Sequence, residues 1–380
     1  MLSHAMKPTR YLYIDSLRGW ATLLAVFTHA AQQVVLPSAL TSIGDAARFG
    51  VQLFFVLVAL CQMLSWRARG ISGLSGLRDY AIARIFRIAP LFEVAIIFYL
   101  LLFGWGPRPF AENGIYPKDV ALTAVFMHGW QWNSVNSVVP GGWSIGAIAS
   151  FYIVFPVLQW ISRSRVALLA LTIGAAVGTQ ILDGFIRTHH GNTGPLGIWG
   201  FPANAIVFLF GLWAARIILW HDRPPAWIPE WLGHLAALLV FLAVVLVLPL
   251  WHLHDDVLVY RIQFGLATAA LVVLLRWFPV SILVNRPLGY IGRVSYSMYV
   301  LHFALVAPAF GVASAFSRMF GQVSDTALLA VSYPLLLAAS FGCACITYTL
   351  IERPFIRLGR SLIAFLHTGP HQGVTARASG

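Results

Sequence analysis

The chain reads as an all-α polytopic membrane protein. Of its 380 residues, 59% are hydrophobic and only 10% charged, and the mean hydropathy is +0.78. A soluble protein of this size needs far more polar surface. Apolar runs of roughly 17 to 25 residues, long enough to cross a hydrocarbon core of about 30 Å, recur along the whole sequence. They lie near 12–36, 49–66, 88–105, 143–161, 166–182, 199–220, 232–250, 257–277, 294–316 and 326–351, which predicts ten transmembrane helices.

Charge sets their orientation. The net charge of +12 could belong to a nucleic-acid binder, but the basic residues are scattered through short loops rather than gathered on a soluble face. Placing the N-terminus in the cytoplasm puts nineteen of the 25 Lys and Arg on the inner side, from Lys7 and Arg10 to Arg377. By the positive-inside rule both termini are then cytoplasmic. The first ten residues lack the apolar core and small-residue cleavage site of a removable leader, so the first span is expected to be both targeting signal and permanent helix.

The first span carries Asp15, Arg18 and His29. On a helix rising 1.5 Å per residue, Arg18 and His29 stand roughly 16 Å apart, about half a bilayer core. A cation at the surface and an imidazole near the midplane follow, and an ionisable group at that depth marks a functional site or a bond to a neighbouring helix. The second span contains Cys61; with Cys343 and Cys345 it falls in apolar sequence, where small inert hydrophobes are expected. At the entrance of the third span, Arg84 and Arg87 are three apart and share a helical face. With Arg18 they suit an anion or phosphate clamp, although lipid headgroup contact uses the same residues. Glu93 is expected to pair with a nearby Arg.

The fourth span opens on Pro140-Gly-Gly-Trp143-Ser144, with Tyr152 two turns further on. The turn delivers the Trp143 indole to the outer interface, and Ser144 and Tyr152 offer hydroxyls or simply pack. The outer segments hold His128, Trp130, Trp132, Asn133, Asn136, Asp183, His189, His190, Asn192, Trp199, His252, His254, Asp255 and Asp256. Such residues suit sugar binding and are also ordinary for outer loops. His-x-His alone is too little for a metal site. The ninth span begins Arg293-Val-Ser-Tyr296-Ser-Met-Tyr299-Val-Leu-His302. It runs outward like the first, so His302 reaches a depth close to that of His29, and Tyr296 and Tyr299 could carry hydroxyls into a shared cavity. Glu352 is expected to anchor the last span to inner Arg residues. The chain forms one membrane domain over 1–360, followed by a loose tail, 361–380.

Taken in order, these segments resemble the acyltransferase-three family of integral membrane O-acyltransferases. The resemblance spans about residues 11–360. It rests on Asp15-Ser-Leu-Arg18-Gly with Arg-x10-His, Gly50-Val-Gln-Leu-Phe-Phe-Val-Leu57, Arg84-x-x-Arg87 followed by Ile-Ala-Pro, and Gly-Gly-Trp143-Ser-Ile with Phe151-Tyr152. Phe208-Leu-Phe-Gly211, Ser295-Tyr-Ser-Met-Tyr-Val-Leu-His302 and Ile351-Glu352-Arg-Pro354 complete it. The resemblance implies a bacterial inner-membrane enzyme that takes an acyl group, most often acetyl, from acyl-CoA on the cytoplasmic side and passes it to a hydroxyl of a surface or lipid-linked glycan. No metal is implied. Carried over, Arg18, Arg84 and Arg87 engage the donor phosphates, His29 and His302 are catalytic, and Asp15, Trp143, Ser144, Tyr152, Tyr296 and Tyr299 shape the substrate site. Membrane lipid surrounds the protein, and the sequence leaves a homo-oligomer open.

Two departures stand out. Ile148 occupies the position, five beyond Trp143, where the family carries an acid, and Val58-Ala59 replaces its usual Ser-Gly or Ser-Ala. They define an alternative, a homologue that binds acyl-CoA or glycan without turnover. A transporter or flippase is a third class, but its marks, internal repeats and paired broken helices, are not found in the sequence.

Overall fold

The computed structural model describes the chain except residues 1–10, 49, 109–110, 133, 191–193, 249–256, 322 and 369–380. Among the described residues it is helical throughout, with no strand. Nine helical stretches are long and apolar enough to cross a membrane, and they coincide with nine of the expected spans. The first expected span is also helical, over Leu12–Ala31 (α1), but Asp15, Arg18 and His29 leave it the most polar of the ten. The chain is a multi-pass membrane protein.

The other elements follow in order. They are α2 (Ser38–Ala47), α3 (Gly50–Arg69), α4 (Gly73–Phe103), α5 (Pro117–Ala124), α6 (Trp143–Ile161), α7 (Arg165–His190), α8 (Gly194–Trp199), α9 (Phe201–Trp220), α10 (Glu230–Leu242), α11 (Val257–Trp277), α12 (Arg286–Arg293), α13 (Ser295–Phe320), α14 (Asp325–Thr347) and α15 (Arg353–Thr368). Short π-helical turns extend α10 and join α14 to α15.

Helices α3, α9 and α11 form the centre, where Phe55 and Phe151 stack on Phe208 at 4.5 and 4.4 Å between ring centroids. Gly211 lets α9 press on α3, since a Cβ there would lie 2.5 Å from the Val56 carbonyl oxygen. Helices α7 and α10 are peripheral and bury few of their side chains, as lipid-facing helices do.

The polar α1 tolerates its position because neighbours enclose it. The short amphipathic α12 lies against its first two turns at backbone contact: a Cβ on Gly292 would sit 1.7 Å from the Asp15 carbonyl oxygen, and one on Gly19 2.4 Å from that of Leu288. Ser16 Oγ donates to the Asn285 carbonyl at 3.0 Å, and Tyr333 on α14 donates to the Leu23 carbonyl at 3.0 Å.

Two elements differ from the sequence reading. Helix α4 has 31 residues, about 46 Å at helical rise, so Arg78, Arg84 and Arg87 stand inside a continuous helix whose first turns project beyond the core. Helix α15 runs to Thr368, eight residues into the stretch expected to be loose, because Ile356 and Ile363 and the buried Gly359 give it a packing face. That face lies on α4: Gly359 meets Phe86 so closely that a Cβ would stand 2.7 Å from Phe86 Cβ.

Candidate active site

At the basic end of the bundle, α1, α3, α4, α6, α12, α14 and α15 enclose an open cavity of about 1380 Å³. Its walls carry eight arginines, Arg18, Arg69, Arg84, Arg87, Arg293, Arg353, Arg357 and Arg360, and one carboxylate, Asp79. Two of the arginines are neutralised by the protein. Arg87 donates to Glu352 at 2.7 Å, whose other oxygen accepts from Ser297 Oγ; Glu352 is buried, so the pair ties α4, α13 and the α14 end together. Arg18 lies 3.7 Å from Asp15 and donates to Cys61 Sγ at 3.3 Å. Cys61 is thus a polar contact in the cavity wall rather than an inert hydrophobe. The remaining six make no ion pair among the described residues. Arg84 sits over the rings of Tyr80 and Tyr152 at 5.6 and 5.8 Å, with its buried Nε unpartnered. A cavity with this excess of cations is built for a polyanion.

The two histidines lie together further along α1 and α13, their ring centroids 5.3 Å apart, as equal depths on parallel helices require. Each has one nitrogen held by an acceptor. Gln32 Oε1 stands 3.1 Å from His29 Nδ1, and the Tyr299 carbonyl 2.7 Å from His302 Nδ1. A carbonyl only accepts, so His302 carries its proton on Nδ1 and keeps the lone pair on Nε2; with Gln32 turned to present Oε1, His29 does the same. His302 is fully buried and its Nε2 has no partner. A buried acceptor left open in this way suits a hydroxyl donor. Phe303 packs on both rings, at 4.2 and 4.3 Å, and occupies the space left by Gly141, whose φ of 77° and 2.6 Å approach to the Phe303 ring admit no side chain.

Arg18, Arg84, Arg87 and Tyr152 meet in the cavity wall, whereas His29, His302, Tyr299 and Ser144 form the histidine pocket, and neither histidine lines the cavity. Asp15 serves Arg18. Both tyrosine hydroxyls on α13 are already engaged, contrary to the expectation that they face the cavity. Tyr296 donates to the Ile88 carbonyl at 2.6 Å, and Tyr299 to the Gly141 carbonyl at 3.1 Å while accepting from Ser144 Oγ at 3.0 Å. Desolvated hydroxyls take the nearest acceptor, here the backbone. Trp143 is half-buried, with its ring against Phe55 and Trp199. Glu93 makes no ion pair among the described residues, since Arg87 turns to Glu352 instead. Ile148 packs against the main apolar cluster.

The outer polar residues mostly have structural work. Trp130 donates to Ser150 Oγ at 2.9 Å, Asn136 accepts from the Gly141 amide at 2.8 Å, and Asp183 pairs with Arg187 at 2.7 Å. Buried His128 donates to the Gly142 carbonyl at 2.9 Å, and burial holds its imidazole below the ordinary value. Asn133, Asn192, His252, His254, Asp255 and Asp256 lie outside the described residues, as does the side chain of His190. The sequence reading missed Gln32, although it stands three residues after His29 and therefore on the same face. It also counted Arg69, Arg293, Arg353, Arg357 and Arg360 only as orientation signals.

Comparison with known proteins bears on the chemistry. Searches of curated proteins and of solved structures give no match. A family described as an acyltransferase domain matches residues 11–349, nearly the whole bundle with both the cavity's deep wall and the histidine pair. The chain belongs to the acyltransferase-three family of membrane acyltransferases.

Proposed function

We propose that the protein moves an acyl group, in the first instance acetyl, from acyl-CoA to a hydroxyl of a surface or lipid-linked glycan in the bacterial inner membrane, with the arginine cavity facing the cytoplasm. The observation that carries this reading is the placement of Arg18 and His29 on one rigid helix. Their rise of roughly 16 Å is comparable to an extended pantetheine arm, so charge is held at one end while the acyl carbonyl reaches the other.

Acyl-CoA supplies an activated carbonyl as a thioester. Arg84 holds the phosphate next to the pantetheine arm, beside Arg18 and Arg87, which are tethered to carboxylates in the deep wall. His29, with Nδ1–H on Gln32, takes the acceptor hydroxyl's proton at Nε2 as that oxygen bonds to the acyl carbon. It returns the proton to sulfur as the carbon–sulfur bond breaks. Such a base contributes about 10² to 10⁴ in rate, and orientation in a pocket closed by Phe303 and Tyr299 contributes further. His302 Nε2 is available to accept from a neighbouring hydroxyl of the same acceptor and orient it. An amide oxygen and a backbone carbonyl here do the orienting that a carboxylate does elsewhere, which reconciles a working site with Ile148.

Ile148 itself favours the second reading, a binding homologue without turnover. Radiolabelled acetyl transfer from acetyl-CoA by reconstituted protein separates the two, with water and a mixed bacterial glycan extract as acceptors. Turnover in the native chain that disappears in His29→Ala supports the enzyme. Turnover found only in Ile148→Glu supports the homologue.

A further inference from the structure

The arginines of α15 have no part in the mechanism above, and they lie beyond residue 349, where the family match ends. Arg353, Arg357 and Arg360 follow one another at four and three residues, the spacing of a single helical face, and all three line the cavity. They are exposed at its mouth, whereas Arg18, Arg84 and Arg87 are partly buried deeper in. The face is fixed over the opening at two points. Gly359 is buried against Phe86, and His367 Nε2 contacts the Asp79 carboxylate in the second turn of α4. None of the three arginines has an ion pair among the described residues, and Arg360 and Arg84 both face the like-charged Arg69. A docked helix presenting unpaired guanidinium groups into a cavity already cationic is costly unless an anion sits there.

The deep and mouth arginines are two tiers along one cavity. The deep tier serves phosphate next to the pantetheine arm. A donor ending there leaves the mouth tier unsatisfied.

We infer that Arg353, Arg357 and Arg360 form a second anion subsite that reads the ribose phosphate at the far end of the donor nucleotide, making this chain selective for a 3′-phosphorylated adenosine donor over its dephospho form. The inference rests on the acyl-CoA reading above and adds to it the element that discriminates.

The test is binding of CoA and of dephospho-CoA to the full chain in nanodiscs of zwitterionic lipid, by titration calorimetry. Native protein is expected to bind CoA about 10 to 100-fold more tightly than dephospho-CoA, the worth of one or two charge-assisted contacts. The double variant Arg357→Gln, Arg360→Gln keeps Gly359 and His367, and its unfolding midpoint should stay close to native. It is expected to bring the ratio within about threefold while leaving dephospho-CoA binding unchanged, whereas Arg84→Gln weakens both ligands alike. Equal binding of the two ligands by native protein overturns the subsite and leaves the acyl-CoA reading standing. Failure to bind either ligand overturns the acyl-CoA reading itself. Repeating the titration in nanodiscs with anionic lipid separates the phosphate's source. If the α15 variant changes behaviour only there, the arginines read lipid headgroups and the subsite is overturned.

Discussion

The cavity and the histidine pocket use ionisable residues in opposite ways. The cavity is wide and open, and among the described residues six of its eight arginines pair with no carboxylate. The pocket is tight and dry: each imidazole has one nitrogen tied to a neutral oxygen, and an aromatic ring packs on both. Under the proposed function, affinity in the first comes from surplus charge, and reactivity in the second from holding a neutral base in one tautomer. The difference teaches that binding and chemistry are separable here, joined by α1, so variants should sort cleanly between them.

The largest separation is expected from His29→Ala. Single-turnover acyl transfer should fall by about 10² to 10⁴-fold, while CoA affinity stays native; a joint loss of both would mean the two regions are one site. Arg87→Ala comes next and acts on stability. It strands buried Glu352, so detergent-solubilised protein should lose about 3 to 5 kcal/mol, read as a lowered unfolding midpoint. Adding Glu352→Gln should restore part of that loss. Arg84→Ala should weaken donor binding by about tenfold and leave kcat nearly unchanged, with a shallower dependence on salt than native protein. Tyr299→Phe removes one hydroxyl that bridges Ser144 and the Gly141 carbonyl, and should cost about 1 kcal/mol without changing donor affinity. The smallest effect is on pH. Burial keeps His128 neutral in the fold, so the unfolded chain gains the proton first as pH falls through about 6.5. The part of the decline that His128 contributes between pH 7 and 6 should be under about 1 kcal/mol, and His128→Gln should remove that part.

Much of this was legible in sequence. Nine of the ten expected segments are helices long and apolar enough to cross a bilayer, because length and hydropathy dominate there. Helical rise alone placed His29 and His302 at one depth, and a shared face put Arg84 beside Arg87 in the cavity. Partner choice was not legible. Whether Tyr296 points its hydroxyl at a cavity or at the Ile88 carbonyl depends on which backbone passes within 3 Å, and only packing decides that. Glu93 and Glu352 competed for Arg87, and the winner sits 265 residues away in sequence. Helix α15 was hidden because its polar face reads as tail; its Gly359 acquires meaning only when Phe86 lies opposite.

The contact of α12 with α1 has a consequence for how the protein is made. The helix bearing Arg18 and His29 leaves the ribosome before its partners, and α3 covers one face soon after. The neighbours that seat Asp15, Ser16 and Leu23, however, are Gly292, Asn285 and Tyr333. At about 5 to 20 residues per second, α1 waits tens of seconds in the bilayer with its carboxylate, guanidinium and imidazole uncovered on that side. A nascent chain released before its final quarter therefore has both halves of the reaction's equipment on one helix and nothing to hold that helix in place, which makes it a substrate for membrane quality control rather than a partial enzyme.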